Sequence, residues 1–327
     1  MRRLAFLVTL AIGAIPLTGC LYYGAAVRPD HPVVSVDGVT ATPEQPAYFS
    51  YTPDASIPRV RPLRENPRYS VTKLYFPSRP AFYYKPKHAL KAPAVVILPI
   101  TMGDFYTKAL ARHLAERGYV CLRFQSRGEL LKIRNSPDML ADFERLLRAD
   151  VIDTLRGVDW LVGQDAVDPQ RIGVVGLSLG AIVGSVVMGV DPRINAGAFM
   201  LGGGDLAGIL FDSDENSIIT IRKRIQAQET GPSNAIRQVV ASALKNVDPL
   251  TYAPRLDPNR VLLISAAFDN VIPDAYGKAL WRKMRRPALI KIPTGHYTAG
   301  LFFPYAEGQI LDHLERVWGS VTIPSEP

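Results

Sequence analysis

Apolar and polar positions change period several times along this chain, and each change marks an element. From Tyr69 the run Ser70-Val71-Thr72-Lys73-Leu74-Tyr75-Phe76 alternates, and Ala81-Phe82-Tyr83-Tyr84 follows a Pro-containing turn. Both read as antiparallel edge strands. Ala94-Val95-Val96-Ile97-Leu98 is a continuous apolar run, the pattern of a parallel strand covered on both faces. Phe105, Ala109, Leu110 and Leu114 recur at helical spacing, and Glu116-Arg117-Gly118 supplies a helix stop. Tyr119 to Phe124 is the next strand. A long amphipathic helix is expected over about 138–163, with Leu146, Leu147, Val151, Leu155, Val158 and Leu161 on one face. Apolar strands follow at about 171–177, 194–201, 261–266 and 288–292, with helices at about 273–285 and 304–318.

Strands alternating with helices predict an α/β architecture with a doubly wound, mostly parallel sheet. One segment breaks the rhythm. Between Leu201 and Arg260 there is no strand pattern, only helical stretches at about 215–228 and 233–245. This segment is expected to be a helical cap inserted at about 202–258, after the sixth strand counted from Tyr69. Ahead of Tyr69, residues 20–68 are dense in proline, which blocks helices and central strands. They read as a tether, part of it lying on the body surface. The body is then expected over 69–320, with a tail at 321–327.

The first residues read as a targeting segment. Met1-Arg2-Arg3 is a positive start, and Leu4 to Pro16 is apolar but too short to span a bilayer comfortably. It runs into Leu17-Thr18-Gly19-Cys20, which resembles the bacterial lipobox. That resemblance implies a signal peptide at 1–19, acylation of Cys20 and a lipid membrane as partner. Leu21, rather than Asp, after the cysteine implies the outer membrane where the organism has one. The chain has two cysteines, so an acylated Cys20 leaves no intramolecular disulfide. Cys121 sits in an apolar run and reads as a buried small hydrophobe.

Composition narrows the function classes. Of 327 residues, 47% are hydrophobic and 21% charged, enough to bury a large core. The net charge of +8 is spread along the chain. The one dense run, Arg282-Lys283-Met284-Arg285-Arg286, falls at a helix end, where cations complement the dipole. No nucleic-acid, dinucleotide or P-loop signature appears, and no metal or organic cofactor is implied.

The candidate chemistry centres on Gly176-Leu177-Ser178-Leu179-Gly180, which stands between a Val-rich strand and the small-residue run Ala181 to Val187. Strand, sharp turn and helix are the context in which Gly-x-Ser-x-Gly exposes a serine at the sheet edge. A serine hydroxyl needs a base, and the base needs an orienting acid. Among five histidines, His113 and His313 fall in helices, and His31 and His88 precede the core strands. His296, in Pro293-Thr294-Gly295-His296-Tyr297 after the last strand, falls at the elbow's edge. Asp269, in Ala267-Phe268-Asp269-Asn270-Val271-Ile272-Pro273, leaves the seventh strand at the same edge. Asp274 and Asp205 are its rivals.

With an elbow serine, an acid and a histidine in that order, the chain resembles the α/β-hydrolase superfamily over about residues 70–320. Within it the groups most alike are dienelactone hydrolases, acetyl xylan esterases and prolyl peptidases. The phrase Asp248-Pro249-Leu250-Thr251-Tyr252-Ala253-Pro254-Arg255-Leu256 is similar to theirs. The resemblance implies a Ser178–His296–Asp269 triad. It also implies an oxyanion hole formed by the backbone N–H of Leu179 and that of Thr101 or Met102, where Pro99-Ile100-Thr101 departs from the common His-Gly form. The implied activity is a membrane-anchored serine hydrolase taking a small-molecule acyl ester or thioester. A prolyl-type peptidase and a non-catalytic lipoprotein on the same fold are the alternatives.

Overall fold

The computed structural model describes residues 47–52, 59–77, 79–101, 103–126, 133, 136–229 and 231–321. Nine strands form one sheet in the order β1-β2-β3-β5-β4-β6-β7-β8-β9. They are β1 (Arg59–Glu65), β2 (Tyr69–Tyr75), β3 (Pro80–Pro86), β4 (Ala92–Leu98), β5 (Val120–Phe124), β6 (Val167–Leu177), β7 (Ile194–Met200), β8 (Val261–Ala266) and β9 (Ala288–Ile292). β1 to β3 are antiparallel, β3 meets β5 antiparallel, and β5-β4-β6-β7-β8-β9 run parallel. Every residue of β4 is buried, as its unbroken apolar run requires.

The helices are α1 (Phe105–Glu116), α2 (Met139–Val162), α3 (Leu179–Val190), α4 (Leu206–Asp212), α5 (Asn216–Gln228), α6 (Ser233–Leu244), α7 (Pro249–Tyr252), α8 (Asp274–Lys283) and α9 (Phe303–Trp318). They cover both faces of the sheet. On one face Leu110 and Leu114 of α1 and Ile310 and Leu314 of α9 pack against Val95, Ile97 and Val175. On the other, α2 and α3 bury Leu147, Val151, Leu155, Val183 and Val187 against Val96, Leu98 and Val174. The result is the doubly wound, mostly parallel sheet expected of the sequence. None of the described helices is long and apolar enough to cross a membrane.

The body begins earlier than Tyr69. Phe49 is fully buried in the core on the α2 face. Arg148 Nε donates to Tyr48 O at 2.9 Å, and Tyr51 Oη donates to Asp159 Oδ2 at 2.5 Å. Residues 59–65, expected to be tether, add β1 to the sheet's edge. All seven are exposed, and the register slips between Pro62 and Arg64. A proline is tolerated there because an edge strand leaves N–H groups unpaired, and arginines discourage edge-to-edge pairing. The signal segment, Cys20 and residues 20–46 lie outside the described residues, as does the tail from 322.

Two features hold charge inside. Arg79, just before β3, lies 4.5 Å over the Phe124 ring and pairs with Asp150 and Asp153 of α2 at 3.4 and 3.8 Å. Arg123 of β5 stacks on Phe82 and pairs with Asp104 at 3.0 Å. The basic run at 282–286 ends α8, and Arg285 donates to Leu256 O at 2.6 Å.

Candidate active site

β6 ends at Leu177 and α3 starts at Leu179, so one residue must make the whole turn. Ser178 takes φ 53°, ψ −117°, a left-handed conformation that L-residues avoid. The turn closes because its flanking glycines carry no side chain. A Cβ on Gly176 would sit 2.1 Å from Gly180 O, and one on Gly180 would sit 2.6 Å from Leu98 O and 2.7 Å from Pro99 O. Neither approach is physically possible. Ser178 N donates to Met200 O at 2.8 Å, which ties the strained residue to β7. Its Oγ therefore stands at the C-terminal edge of the parallel strands, at the positive end of α3.

His296 reaches that oxygen. Its Nε2 is 2.9 Å from Ser178 Oγ, and its Nδ1 is 2.8 Å from Asp269 Oδ2. An ionised carboxylate only accepts, so Nδ1 carries the proton and the Nε2 lone pair faces the serine hydroxyl. The second oxygen, Asp269 Oδ1, accepts from Val271 N at 2.9 Å and Ile272 N at 2.8 Å. That leaves Oδ2 for the imidazole. Backbone bonds join the acid and base loops: Ala267 N donates to Ile292 O, and Phe268 N to Thr294 O, both at 2.9 Å. The Asp269–His296 separation is thus set by main chain. Both side chains are almost wholly buried.

The rivals for the acid are engaged elsewhere. Asp274 pairs with Lys278 at 2.6 Å and Lys291 at 2.7 Å. Asp205 caps α4 by accepting from Gly208 N at 2.8 Å. Of the other histidines, His113 faces Glu307 at 3.5 Å between α1 and α9. His313 is buried against Arg260 O, and burial pushes it down to about 4. His88 is exposed, and His31 lies outside the described residues. Cys121 is buried mid-strand, and burial alone pushes its thiol far above the usual range. Among the described residues no group of three or more His, Cys, Asp or Glu is disposed to hold a metal ion.

For an oxyanion, Leu179 N belongs to the first helical residue of α3, one of the amides a helix leaves without an internal partner. The loop after β4 presses on this turn through Leu98 and Pro99 and carries Thr101 to the same edge. Ser126 clamps the loop from the end of β5. Its Oγ donates to Thr101 O at 2.9 Å, and its N donates to Asp104 Oδ1 at 3.1 Å. Met102, the alternative donor, lies outside the described residues.

The sequence gives no hint of how the inserted segment meets this site. Glu215, at the N-terminus of α5, accepts from Ser217 N at 2.8 Å and Ile218 N at 3.0 Å. Its carboxylate also interacts with the phenol of Tyr297, the neighbour of His296. Burial raises the Glu215 carboxyl, but these bonds outweigh it and hold it below its ordinary value. Burial, with Glu215 beside it, raises the Tyr297 phenol. The insertion is buckled at its ends by Asp248. Its carboxylate accepts from Asp205 N at 3.1 Å, Leu206 N at 2.6 Å and Leu250 N at 2.8 Å.

Among solved structures the fold is similar to acetyl xylan esterase 1 from Thermoanaerobacterium sp. JW/SL YS485. That likeness has a TM-score of 0.61 at 18% identity and covers 82% of this chain and 95% of that one. It is also similar to the acetyl xylan esterase from Paenibacillus sp. R4, with a TM-score of 0.57 at 16% identity, covering 76% and 88%. The acylaminoacyl peptidase of Pyrococcus horikoshii shares the fold at TM-score 0.56 and 17% identity; 83% of this chain covers only 43% of that one. No curated protein matches the sequence. At these identities the structures establish the α/β-hydrolase fold alone. The sequence profile of the dienelactone hydrolase family matches residues 80–246, just over half the chain, and contains the elbow. On that match, with the fold in agreement, the chain belongs to the dienelactone hydrolase family of α/β-hydrolases.

Proposed function

We propose that this hydrolase is a serine enzyme that cleaves an ester or thioester through an acyl-enzyme. The observation that carries the reading is the hydrogen-bonded line from Ser178 Oγ through His296 to Asp269. In this mechanism Ser178 Oγ attacks the acyl carbon as His296 Nε2 takes its proton, and Asp269 holds the imidazole and balances its positive charge. The N–H of Leu179, with that of Thr101 or Met102, receives the developing oxyanion. His296 then protonates the leaving group, and water repeats the sequence to release the acid. The acetyl xylan esterases among the similar folds favour an ester, and the peptidase among them keeps an amide in view.

The test is turnover of p-nitrophenyl esters, acyl thioesters and aminoacyl anilides by the wild type and by Ser178→Ala. Ester or thioester turnover that vanishes in the variant supports the reading, and preference for the anilide replaces it with the peptidase. We further propose that acylation of Cys20 anchors the enzyme to the cell envelope, at the outer membrane where one exists. The support is the order of the positive start, apolar run and Leu17-Thr18-Gly19-Cys20. Incorporation of labelled palmitate that is lost in Cys20→Ala is the outcome expected, and equal incorporation refutes it.

A further inference from the structure

The edge that carries Ser178 also carries five of the eleven large apolar side chains exposed among the described residues. Phe105 is 77% exposed, Phe268 73%, Tyr297 70% and Leu301 81%, with Phe302 partly so. They come from three separate places: the start of α1, the turn holding Asp269 and the turn following His296. They nevertheless lie together. Tyr106, next to Phe105, stacks on Phe303 at 4.9 Å, and its hydroxyl abuts Gly300, next to Leu301. Phe268 is bonded through its backbone to Thr294. Leaving so many large apolar groups in water around one opening is costly for a protein with no use for them.

We infer that this apolar rim is a membrane-docking surface, which sets the triad against a bilayer so that the ester cleaved is an amphiphilic one presented from it. Two further observations select a lipid surface as occupant. From Cys20 onward the chain carries 36 basic against 30 acidic residues, a net positive charge that draws it to anionic headgroups. The direction of the first described segment agrees. α2 leaves the sheet at the catalytic edge and runs away from it. Tyr48 meets Arg148, and Tyr51 meets Asp159 further down the same helix. Traced back from Tyr51 to Tyr48, the described chain therefore climbs α2 toward the catalytic edge, and Cys20 lies 27 positions ahead of Ala47. Residues 20–46 can span up to about 90 Å, so an anchor at Cys20 does not prevent the rim from reaching the same bilayer. The inference deepens the ester-hydrolase reading and rests on it for the substrate class alone.

The test places an environment-sensitive fluorophore on the rim of the full-length chain. In a Cys20→Ala background the remaining thiol, Cys121, is buried and unreactive. A label on Leu301→Cys is compared with one on Val162→Cys, at the end of α2 away from the rim. Vesicles of phosphatidylethanolamine and phosphatidylglycerol are expected to shift the emission at 301 to the blue. Lipids brominated in their acyl chains should quench it, while 162 stays unchanged. Adding Phe105→Ser should raise the lipid concentration needed for half the response about tenfold, without altering p-nitrophenyl acetate turnover in vesicle-free buffer. An aqueous signal at 301 on chains that sediment with the vesicles overturns the inference. So does a blue shift without vesicles that grows with protein concentration, which would assign the rim to a second copy. Absent esterase turnover would sink the proposed function and leave the fluorescence result standing.

Discussion

The elbow and the inserted segment both border the loops that carry Asp269 and His296, and they are held by different forces. At the elbow, Gly176, Ser178 and Gly180 are fixed by backbone against backbone, with carbonyls of Leu98, Pro99 and Gly180 where side chains would be. Such contacts are steep and leave one geometry. The insertion at 206–248 buries Ile209, Ile225, Ile236, Val240 and Leu244 in the core, and its outer surface is tied by polar side chains. Arg237 reaches Asp212 at 3.3 Å, Asp205 at 3.9 Å and Tyr276 Oη at 3.0 Å. Arg222 donates to Ser213 O at 3.2 Å, and Glu215 interacts with Tyr297. These groups are partly solvated, so their bonds exchange with water at little cost. The nucleophile is placed by steric contacts that admit one geometry, while the insertion's polar bonds can be replaced by bonds to water.

The largest expected effects lie on the elbow side. Ser178→Ala is expected to lower kcat for ester hydrolysis by about 10^4-fold or more, and Asp269→Asn by about 10^3-fold or more, because the imidazole would then present the wrong tautomer. Both should leave the circular-dichroism spectrum unchanged. Ser178→Gly separates strain from chemistry. It removes the catalytic hydroxyl, yet it relieves a left-handed residue and should raise stability by about 1 kcal/mol in denaturant titration. Next in size is Gly180→Ala, which drives a methyl into two carbonyls and should cost roughly 3 kcal/mol or more, or prevent folding outright. If Gly180→Ala were neutral, the steric account of the elbow would be wrong.

Much of the site was readable in the sequence because it rests on local rules. The unbroken apolar run of β4, the glycines around Ser178 and the positions of Asp269 and His296 after their strands each follow from a short stretch. What escaped depends on distant partners. β1 has no apolar alternation because both its faces are wet, so Arg59–Glu65 reads as tether. Ala47–Phe49 is too short to show a period, yet Phe49 is core because Tyr252 and α2 are there to receive it. Arg79 and Asp153 are buried as a pair, which no local pattern around either residue signals. α4 spans seven residues, below the length at which helical periodicity shows. The interaction between Glu215 and Tyr297 joins residues far apart in sequence and has no local signature.

On the insertion side the effects should be smaller. Glu215→Gln weakens the cap that Glu215 forms on Ser217 and Ile218, and with it the link to Tyr297, and its signature is a pH dependence. The Glu215 carboxyl is held below its ordinary value, so its stabilisation is fully present above the unfolded value of about 4.3. It is lost as the pH falls through the lower folded value. Thermal unfolding of wild type and variant should therefore differ at neutral pH and converge as the medium becomes acidic. Smallest of all, Arg237→Ala should cost about 1 kcal/mol or less and change kcat/KM for a small ester by no more than a few-fold, since its partners are half exposed. A loss of activity there matching that of Ser178→Ala would erase the distinction between the elbow and the insertion.

The central claim is that Ser178 is a nucleophile activated by His296. A fluorophosphonate that reacts only with activated serines tests it most directly. The account predicts a single covalent adduct per chain, mapped by peptide mass to Ser178, absent in Ser178→Ala and strongly slowed in Asp269→Asn. An adduct on another residue, or none on a protein that still turns over esters, would contradict it.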